Sequence, residues 1–212
     1  MCIRDSRCGF PEVVYGEGKP PKLVASIVKT LVENQQPALA TRVSSEQVAA
    51  VRELFPDVIH NEAARTLRVP LNQEPAAAEP TVAVVTAGSC DAPVAQEAME
   101  TLRWMNVPAV LIEDVGVAGP GRLVPHVPLL QTMKVIVCVA GMEAALPSVL
   151  GGYVGCPVIG VPTSVGYGAS LEGITALLSM MTCCASNVVT VNIDAGFRGG
   201  YVAGMIASGI RS

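Results

Sequence analysis

The sequence has few aromatic, charged or histidine residues. Aromatic residues make up 4% of the 212 residues and charged residues 15%, and the formal net charge is −4. Binding to nucleic acid usually needs a basic surface with aromatic side chains, so we expect no nucleic-acid partner. The seven cysteines and two histidines show no CxxC pair and no zinc-type spacing. We therefore predict reduced thiols and no metal site built from them.

Long apolar runs are also absent. No apolar run reaches the roughly 18 uncharged residues that suggest a membrane span, and the N-terminus lacks the charged-then-apolar order of a signal peptide. These two absences predict a cytoplasmic protein without a membrane partner. Hydrophobic residues nevertheless make up 50% of the chain. That share leaves much apolar surface to be covered by other subunits, so we predict a homo-oligomer.

The first 70 residues mix helical and strand-like patterns. Apolar residues recur at helical spacing over residues 19–34, and a second helix is predicted over 44–55, opened by a capping box of Ser44 and Gln47. Strand-like segments lie at residues 38–43, 57–60 and 66–69. This pattern predicts a small α+β unit.

A proline- and alanine-rich segment, PLNQEPAAAEP, follows at residues 70–80 and has the composition of a linker. We therefore predict a division into two domains. The predicted bounds are 7–70 for the small N-terminal α+β domain, 71–80 for the linker and 81–212 for an α/β catalytic domain.

Beyond the linker, a strand pattern followed by a helix pattern repeats about five times. Predicted strands span residues 81–86, 108–113, 134–140, 157–161 and 188–193. Predicted helices span residues 92–105, 120–132, 142–150, 171–181 and 198–207. Right-handed crossovers between such units give an α/β three-layer sandwich with a parallel sheet. Ligands of such sheets bind beyond the carboxyl ends of the strands.

The first strand-to-helix turn of this part, TAGSCDAPVA, places Gly88, Ser89 and Asp91 at a predicted carboxyl end. Free main-chain N–H groups and the helix dipole favour a phosphate there, and a carboxylate could bind ribose hydroxyls. The same residues are equally typical of a helix cap. The pattern is neither GxGxxG nor a Walker sequence.

Glu143 is the ionisable residue that follows the longest apolar strand. The run VIVCVA ends before Gly141, and Glu143 is predicted in the first turn of the next helix. An acid at that place is often only stabilised by the helix dipole. The small residues around it, including Gly151 and Gly152, allow close approach of a planar ring and favour a role in chemistry.

Two adjacent cysteines, Cys183 and Cys184, follow the predicted helix 171–181 and precede the last strand. Buried, inert thiols are the common case for cysteine. A nucleophilic role would need a larger thiolate fraction, promoted by a helix terminus or a cationic neighbour. The spacing alone leaves both interpretations open.

Two further candidates are charged residues near glycines. Asp194 and Arg198 lie in the glycine-rich exit from the last strand, and Arg122 lies in the segment GVAGPGRLV. Arginine pairs well with phosphate or carboxylate, although exposed arginines are more often solvated surface charges.

Five motifs carry a family resemblance over residues 82–212: GSCDAPVA, VAGMEAALPSVLGG, PVIGVPTS, LEGITALLSM and VVTVNIDAGF. They resemble the carboxyaminoimidazole ribonucleotide mutase family of purine synthesis. Together with GFPEVVYGEGK, ATRVS and the Cys-Ala-Ser at 184–186, they resemble more closely the LarB-type nickel-pincer cofactor biosynthesis proteins. This second resemblance spans nearly the whole chain.

The closer resemblance implies an enzyme activity. Such a protein carboxylates the pyridinium ring of nicotinic acid adenine dinucleotide with carbon dioxide or bicarbonate and hydrolyses its phosphoanhydride. The products are AMP and pyridinium-3,5-biscarboxylic acid mononucleotide, which begins the nickel-pincer cofactor used in lactate racemase maturation. The resemblance also implies an octamer and leaves Mg²⁺ as a candidate aid to hydrolysis.

The resemblance assigns roles to residues of this chain. Cys184 matches the cysteine that adds to the pyridinium ring, and Glu143 matches the acid near it. The implied substrate-binding residues are Gly88, Ser89, Asp91, Arg122, Gly141 and Asp194.

Two alternatives remain. The first is the purine-type mutase itself, but that branch transfers a proton with a histidine in a Ser-Ala-His-Arg segment, and GVAGPGRLV contains none. LarB-type proteins usually carry a His-Arg pair where this chain has Gly121 and Arg122. The second alternative is a nucleotide-binding module without catalysis.

Overall fold

A computed structural model describes residues 10–71 and 78–209. Most of the predicted linker at 71–80 and the first residues of the predicted N-terminal domain fall outside the described ranges. Among the described helices, none combines the length and the apolar character that crossing a membrane requires.

Within residues 10–71, the chain folds into a four-stranded sheet with two helices. In chain order the elements are β1 (Val14–Tyr15), α1 (Pro21–Glu33), β2 (Ala38–Thr41), α2 (Ser45–Arg52), β3 (Ile59–Asn61) and β4 (Thr66–Val69). The strand order is β1-β2-β4-β3, with β1 parallel to β2 and the other pairs antiparallel. The predicted capping box is present, because Ser44 and Gln47 exchange reciprocal hydrogen bonds. Two-residue β1 was not predicted, since so short a strand has no readable periodicity.

The C-terminal part contains a five-stranded, fully parallel sheet. Its elements are β5 (Val82–Thr86), α3 (Ala92–Trp104), β6 (Ala109–Ile112), α4 (Val127–Leu130), β7 (Val135–Ala140), α5 (Leu146–Tyr153), β8 (Val158–Pro162), α6 (Ile174–Met181), β9 (Val188–Thr190) and α7 (Gly196–Ser208). The strand order is β6-β5-β7-β8-β9. The predicted strand-helix alternation is confirmed.

Helices cover both faces of this sheet. Val84 and Val137 pack in one apolar cluster with Leu102 of α3 and Ala203 of α7. The residues that alternate with them along the strands point to the other face, where Ile136 packs with residues of α5. Every residue of β5, β7 and β8 is buried. The three-layer α/β sandwich predicted from the apolar strands is therefore confirmed.

Three predicted helices are shorter than expected. The helix predicted over 142–150 begins at Leu146, with Pro147 in its first turn, where proline is well tolerated because it needs no N–H partner. The segment predicted as a helix over 120–132 is instead two 3₁₀ turns and the four-residue α4, each with a proline at its first or second position. The helix predicted over 171–181 begins at Ile174.

The two parts of the chain meet at α3. Arg68 of β4 and Glu100 of α3 form an ion pair at 2.6 Å with both side chains buried. The indole N–H of Trp104 donates to the carbonyl of Pro37 at 2.9 Å. Helix α3, which packs on the parallel sheet, therefore also contacts the N-terminal part of the chain.

Candidate functional site

A cavity of about 330 Å³ lies at the carboxyl ends of β5, β7 and β8. The turn after β5, the turn after β7 and Val165 after β8 form its walls. Of the residues predicted for the site, six line this cavity: Gly88, Ser89, Asp91, Arg122, Gly141 and Glu143. The cavity is at the small end of the roughly 300–1,000 Å³ range of ligand pockets.

Asp91 forms the floor of the cavity and is only 3% exposed. Its two oxygens accept hydrogen bonds from the main-chain N–H of Gly88 at 2.9 Å and from the hydroxyl of Thr163 at 2.8 Å. Burial raises the pKa of Asp91, and its hydrogen bonds partly offset that rise. Asp91 thus caps its own turn and ties the end of β5 to the end of β8. Binding of ribose hydroxyls by Asp91 stays a prediction. Each carboxylate oxygen has a second lone pair that could accept such a hydrogen bond.

Glu143 is exposed at the cavity wall, but it does not lie in a helix. It stands in a turn before α5, flanked by Met142 and Ala144, whose φ angles of 53° and 51° are left-handed. The prediction of a first helical turn is therefore wrong, because the chain turns sharply before Pro147 allows α5 to begin. Left-handed backbone at non-glycine residues is strained and concentrates at functional sites.

Gly141 explains how this turn comes so close to its neighbours. A Cβ atom at Gly141 would lie 2.5 Å from the carbonyl oxygen of Val165 and 2.6 Å from the Thr163 hydroxyl. The Met142 N–H donates to the same Val165 carbonyl at 2.9 Å. Only glycine lets the ends of β7 and β8 approach in this way.

Arg122 lies at the rim of the cavity and pairs with Asp114. Both side chains are about half exposed, so the pair contributes little stability and leaves the guanidinium available to an anion. At the neighbouring Gly121, a Cβ atom would meet nothing within 4 Å. A side chain at this position would therefore begin in open space.

Asp194 does not line the cavity but fixes the loop beside it. Its carboxylate accepts a hydrogen bond from the main-chain N–H of Ser164 at 2.8 Å. Asp194 has a left-handed φ of 53°, and its negative charge adds to the raised pKa of Asp91.

Cys184 lies at the amino ends of the parallel strands, whereas Glu143 lies at their carboxyl ends. It is exposed in the segment between α6 and β9. In the same segment, Asn187 donates to the carbonyls of Val154 and Cys156, which precede β8, so the segment lies at the amino ends of the strands. At about 3.3 Å per residue, the five residues of β8 alone separate the amino ends of the strands from their carboxyl ends by about 15 Å. A single chain does not bring Cys184 and Glu143 together.

Sequence reasoning did not assign several residues that line the cavity. Cys90 is exposed there between Ser89 and Asp91, and its place inside an already noted turn was a signal for it. Asp114, Gly116 and Met142 also line the cavity, although none of them was assigned a role from the sequence. Within residues 10–71 and 78–209, no group of three or more His, Cys, Asp or Glu side chains could hold a metal ion.

Comparison with known protein families agrees with this architecture. Residues 2–71 match the model of a LarB/PurE-like N-terminal domain, and residues 81–212 match the AIR carboxylase model. The chain is a LarB-type member of the PurE-like superfamily. That membership indicates an enzyme of the mutase or carboxylase kind that acts on a nucleotide.

Relatives from three organisms resemble this family member. An uncharacterised protein of Methanocaldococcus jannaschii is 41% identical over 96% of this chain and 81% of its own length. A probable N5-carboxyaminoimidazole ribonucleotide mutase of Methanobrevibacter smithii is 31% identical over 60% of this chain, which spans 37% of that protein. The N5-carboxyaminoimidazole ribonucleotide mutase of Mycobacterium tuberculosis is 30% identical over 61% of this chain and 74% of its own length.

A solved structure shares the fold of the C-terminal part. The crystal structure of a PurE2 variant from Treponema denticola superposes with a TM-score of 0.51 and 18% identity. It covers 62% of this chain and 81% of its own length. The match supports the parallel α/β sandwich.

Proposed function

We propose that this protein carboxylates the pyridinium ring of nicotinic acid adenine dinucleotide and hydrolyses its phosphoanhydride. The products are pyridinium-3,5-biscarboxylic acid mononucleotide and AMP. The observation that carries the proposal is the cavity at the carboxyl ends of the strands, which is lined both by Glu143 and by the turn that contains Gly88, Ser89 and Asp91. The LarB/PurE-like N-terminal domain distinguishes this chain from mutases that lack it.

The carboxylation needs a nucleophile, because a cationic pyridinium ring is too poor in electrons to attack carbon dioxide. In the proposed reaction the Cys184 thiolate adds to the ring carbon para to nitrogen and forms a C–S bond. The ring becomes a neutral enamine, whose carbon attacks carbon dioxide and forms the new C–C bond. A base then removes the proton from that carbon, and the thiolate leaves as the aromatic ring re-forms.

Glu143 is the proposed proton acceptor of this sequence. It is an exposed carboxylate on the cavity wall, held by a turn whose main-chain hydrogen bonds at Met142 and Ala144 are 2.9 Å long. A fixed turn keeps the carboxylate in one place while the ring changes its charge, which is what a general base requires. The net reaction exchanges one ring proton for one carboxylate.

The proposed pair of Cys184 and Glu143 requires a second copy of the chain. Within one chain the two residues lie at opposite ends of the parallel strands, so a neighbouring copy must supply the thiol. Next to Cys184, the exposed residues Ile174, Leu178 and Met181 follow one another at helical spacing along α6. Such an apolar stripe is typical of a subunit contact and would carry Cys184 to the neighbour.

The direct test uses purified protein, nicotinic acid adenine dinucleotide and ¹⁴C-bicarbonate. We expect release of AMP and one label fixed in a pyridinium mononucleotide for each AMP released. Cys184→Ser should abolish fixation of the label, and Cys183→Ser serves as the matched control that keeps it. No fixation by the wild type, with both substrates present, would contradict the proposal.

The second candidate is an N5-carboxyaminoimidazole ribonucleotide mutase. It is favoured by the match of residues 81–212 to AIR carboxylase and by the mutase relatives. Against it stands the segment around Gly121, which lacks the histidine of the purine branch. Turnover of the aminoimidazole ribonucleotide, with no reaction of the dinucleotide, would select this alternative.

A further inference from the structure

A second cavity of about 460 Å³ lies beside the first and is formed by the loop between β8 and α6. Ser164, Gly166 and Tyr167 contribute to it, and Val165 between them lines the first cavity. A Cβ atom on Gly166 would lie 3.5 Å from the sulfur of Met142, which itself lines the first cavity. The two cavities therefore share one wall.

The two cavities differ in charge. The first holds Arg122, Asp114 and Glu143, the side chains suited to charged groups and proton transfer. Glu172 is the only ionisable acid or base among the residues that line the second cavity, apart from the phenol of Tyr167. An uncharged ligand group whose hydroxyls donate hydrogen bonds to the Glu172 carboxylate fits this second lining better than a phosphate does.

Tyr167 presents an aromatic ring at this cavity. It is 82% exposed, the most exposed of the large hydrophobic residues in the described part of the chain. An exposed aromatic side chain next to a polar cavity is suited to stacking against a planar heterocycle. Ser170 lies across the loop and closes the cavity floor, since it is itself 8% exposed.

The backbone of this loop is held in an unusual conformation. Leu171 and Glu172 are consecutive non-glycine residues with left-handed φ angles of 46° and 54°. They keep α6 from starting at Leu171 and leave its side chain 63% exposed at the cavity. Such strain persists only where the surroundings impose it, and it is common at ligand-binding segments.

We propose that this second cavity binds the adenosine half of the dinucleotide, with the adenine ring stacked on Tyr167 and the ribose hydroxyls donating to Glu172. The proposal rests on the proposed function. A dinucleotide carries two nucleosides, whereas the first cavity is at the small end for a ligand pocket. The shared wall at Met142 and Gly166 lets one ligand extend from the pyridinium cavity to the Tyr167 cavity.

The test is calorimetric titration of the full-length oligomer with AMP and, separately, with nicotinic acid mononucleotide. Tyr167→Ala should weaken AMP binding about tenfold and leave mononucleotide binding unchanged, because one stacking contact is lost. Tyr167→Phe should keep AMP binding. Tyr153→Ala, at another exposed tyrosine on α5, is the matched control and should change neither affinity.

Two results would overturn the proposal. The first is wild-type protein that does not bind AMP, and the second is equal AMP affinity in Tyr167→Ala. If the mass of that variant's oligomer also changed in the second case, Tyr167 would be a subunit contact instead. These readouts need no turnover, so AMP binding that depends on Tyr167 would stand even if the dinucleotide were not carboxylated.

Discussion

Arg42, which follows β2 in the N-terminal part, donates a hydrogen bond to the main-chain carbonyl of Asp194 in the C-terminal part. Its guanidinium also pairs with Glu97 of α3 at 3.2 Å. Burial raises the pKa of the Glu97 carboxyl, whereas the charge of Arg42 lowers it, so the arginine supports the ionised form. Asp194 in turn holds Ser164 beside the cavities. Arg42 thus connects the N-terminal part to the loop beside the site.

Replacing Arg42 by alanine should therefore affect both stability and substrate binding. The buried Glu97 would lose its charged partner, and we expect unfolding to become easier by about 2 kcal/mol. The Asp194 turn would lose a tether, so KM for the dinucleotide should rise more than kcat falls. Urea unfolding and steady-state kinetics measure the two effects. Arg52→Ala, at an exposed arginine of α2, should change neither, and equal effects of both variants would refute the tether.

The ion pair between Arg68 and Glu100 should make stability depend on pH. Burial opposes ionisation of Glu100, but its partners Asn61, Arg68 and Arg103 together place its pKa below the ordinary 4.5. The stabilisation by ionised Glu100 is therefore present above pH 4.5 and is lost as the pH falls through the lower, folded-state pKa.

Glu100→Gln tests this dependence. We expect the variant to be about 3 kcal/mol less stable than the wild type at pH 7, because Arg68 would be left without its buried carboxylate. The difference should shrink as the pH falls below 4.5, measured by urea unfolding at each pH. Glu62→Gln, at an exposed glutamate, is the control. A difference that stays constant with pH would contradict the assigned direction of the pKa.

A methyl group at Gly141 should damage the site. The Cβ atom of Gly141→Ala would press on the Val165 carbonyl, so the ends of β7 and β8 must move apart. We expect a loss of about 1–3 kcal/mol in stability and a larger relative loss of kcat, since Glu143 follows two residues later. Gly155→Ala meets nothing within 4 Å and should behave as the wild type. Full activity of Gly141→Ala would show that the close contact is not needed.

Mixed oligomers test whether two copies share one site. Glu143→Ala and Cys184→Ser chains, each inactive alone, are co-expressed with different tags and purified together. Half of the chains keep Cys184 and half keep Glu143, so random pairing restores about a quarter of the sites. Mixed oligomers no more active than either parent would contradict a site shared between these two residues.

Much of the fold followed from local sequence patterns. The all-apolar segment Val135–Ala140 predicted a strand buried on both faces, and it is one. The Ser44 capping box marked a helix start correctly, since both partners lie within one turn. Hydrophobic periodicity and capping chemistry act over a few residues, so the sequence displays them directly.

Tertiary structure alone decided how the candidate residues are arranged. Asp91 caps its own turn through Gly88, but its second partner is Thr163, a residue 72 positions away, so no local pattern could reveal that it ties two strand ends together. The left-handed turn at Glu143 depends on the contact of Gly141 with the end of β8. The separation of Cys184 from Glu143 follows from strand direction. In a parallel sheet, the segment before a strand lies at the amino ends of the strands and the turn after a strand lies at their carboxyl ends. Sequence determined which segments are buried strands and helices, and packing between distant segments decided which side chains meet.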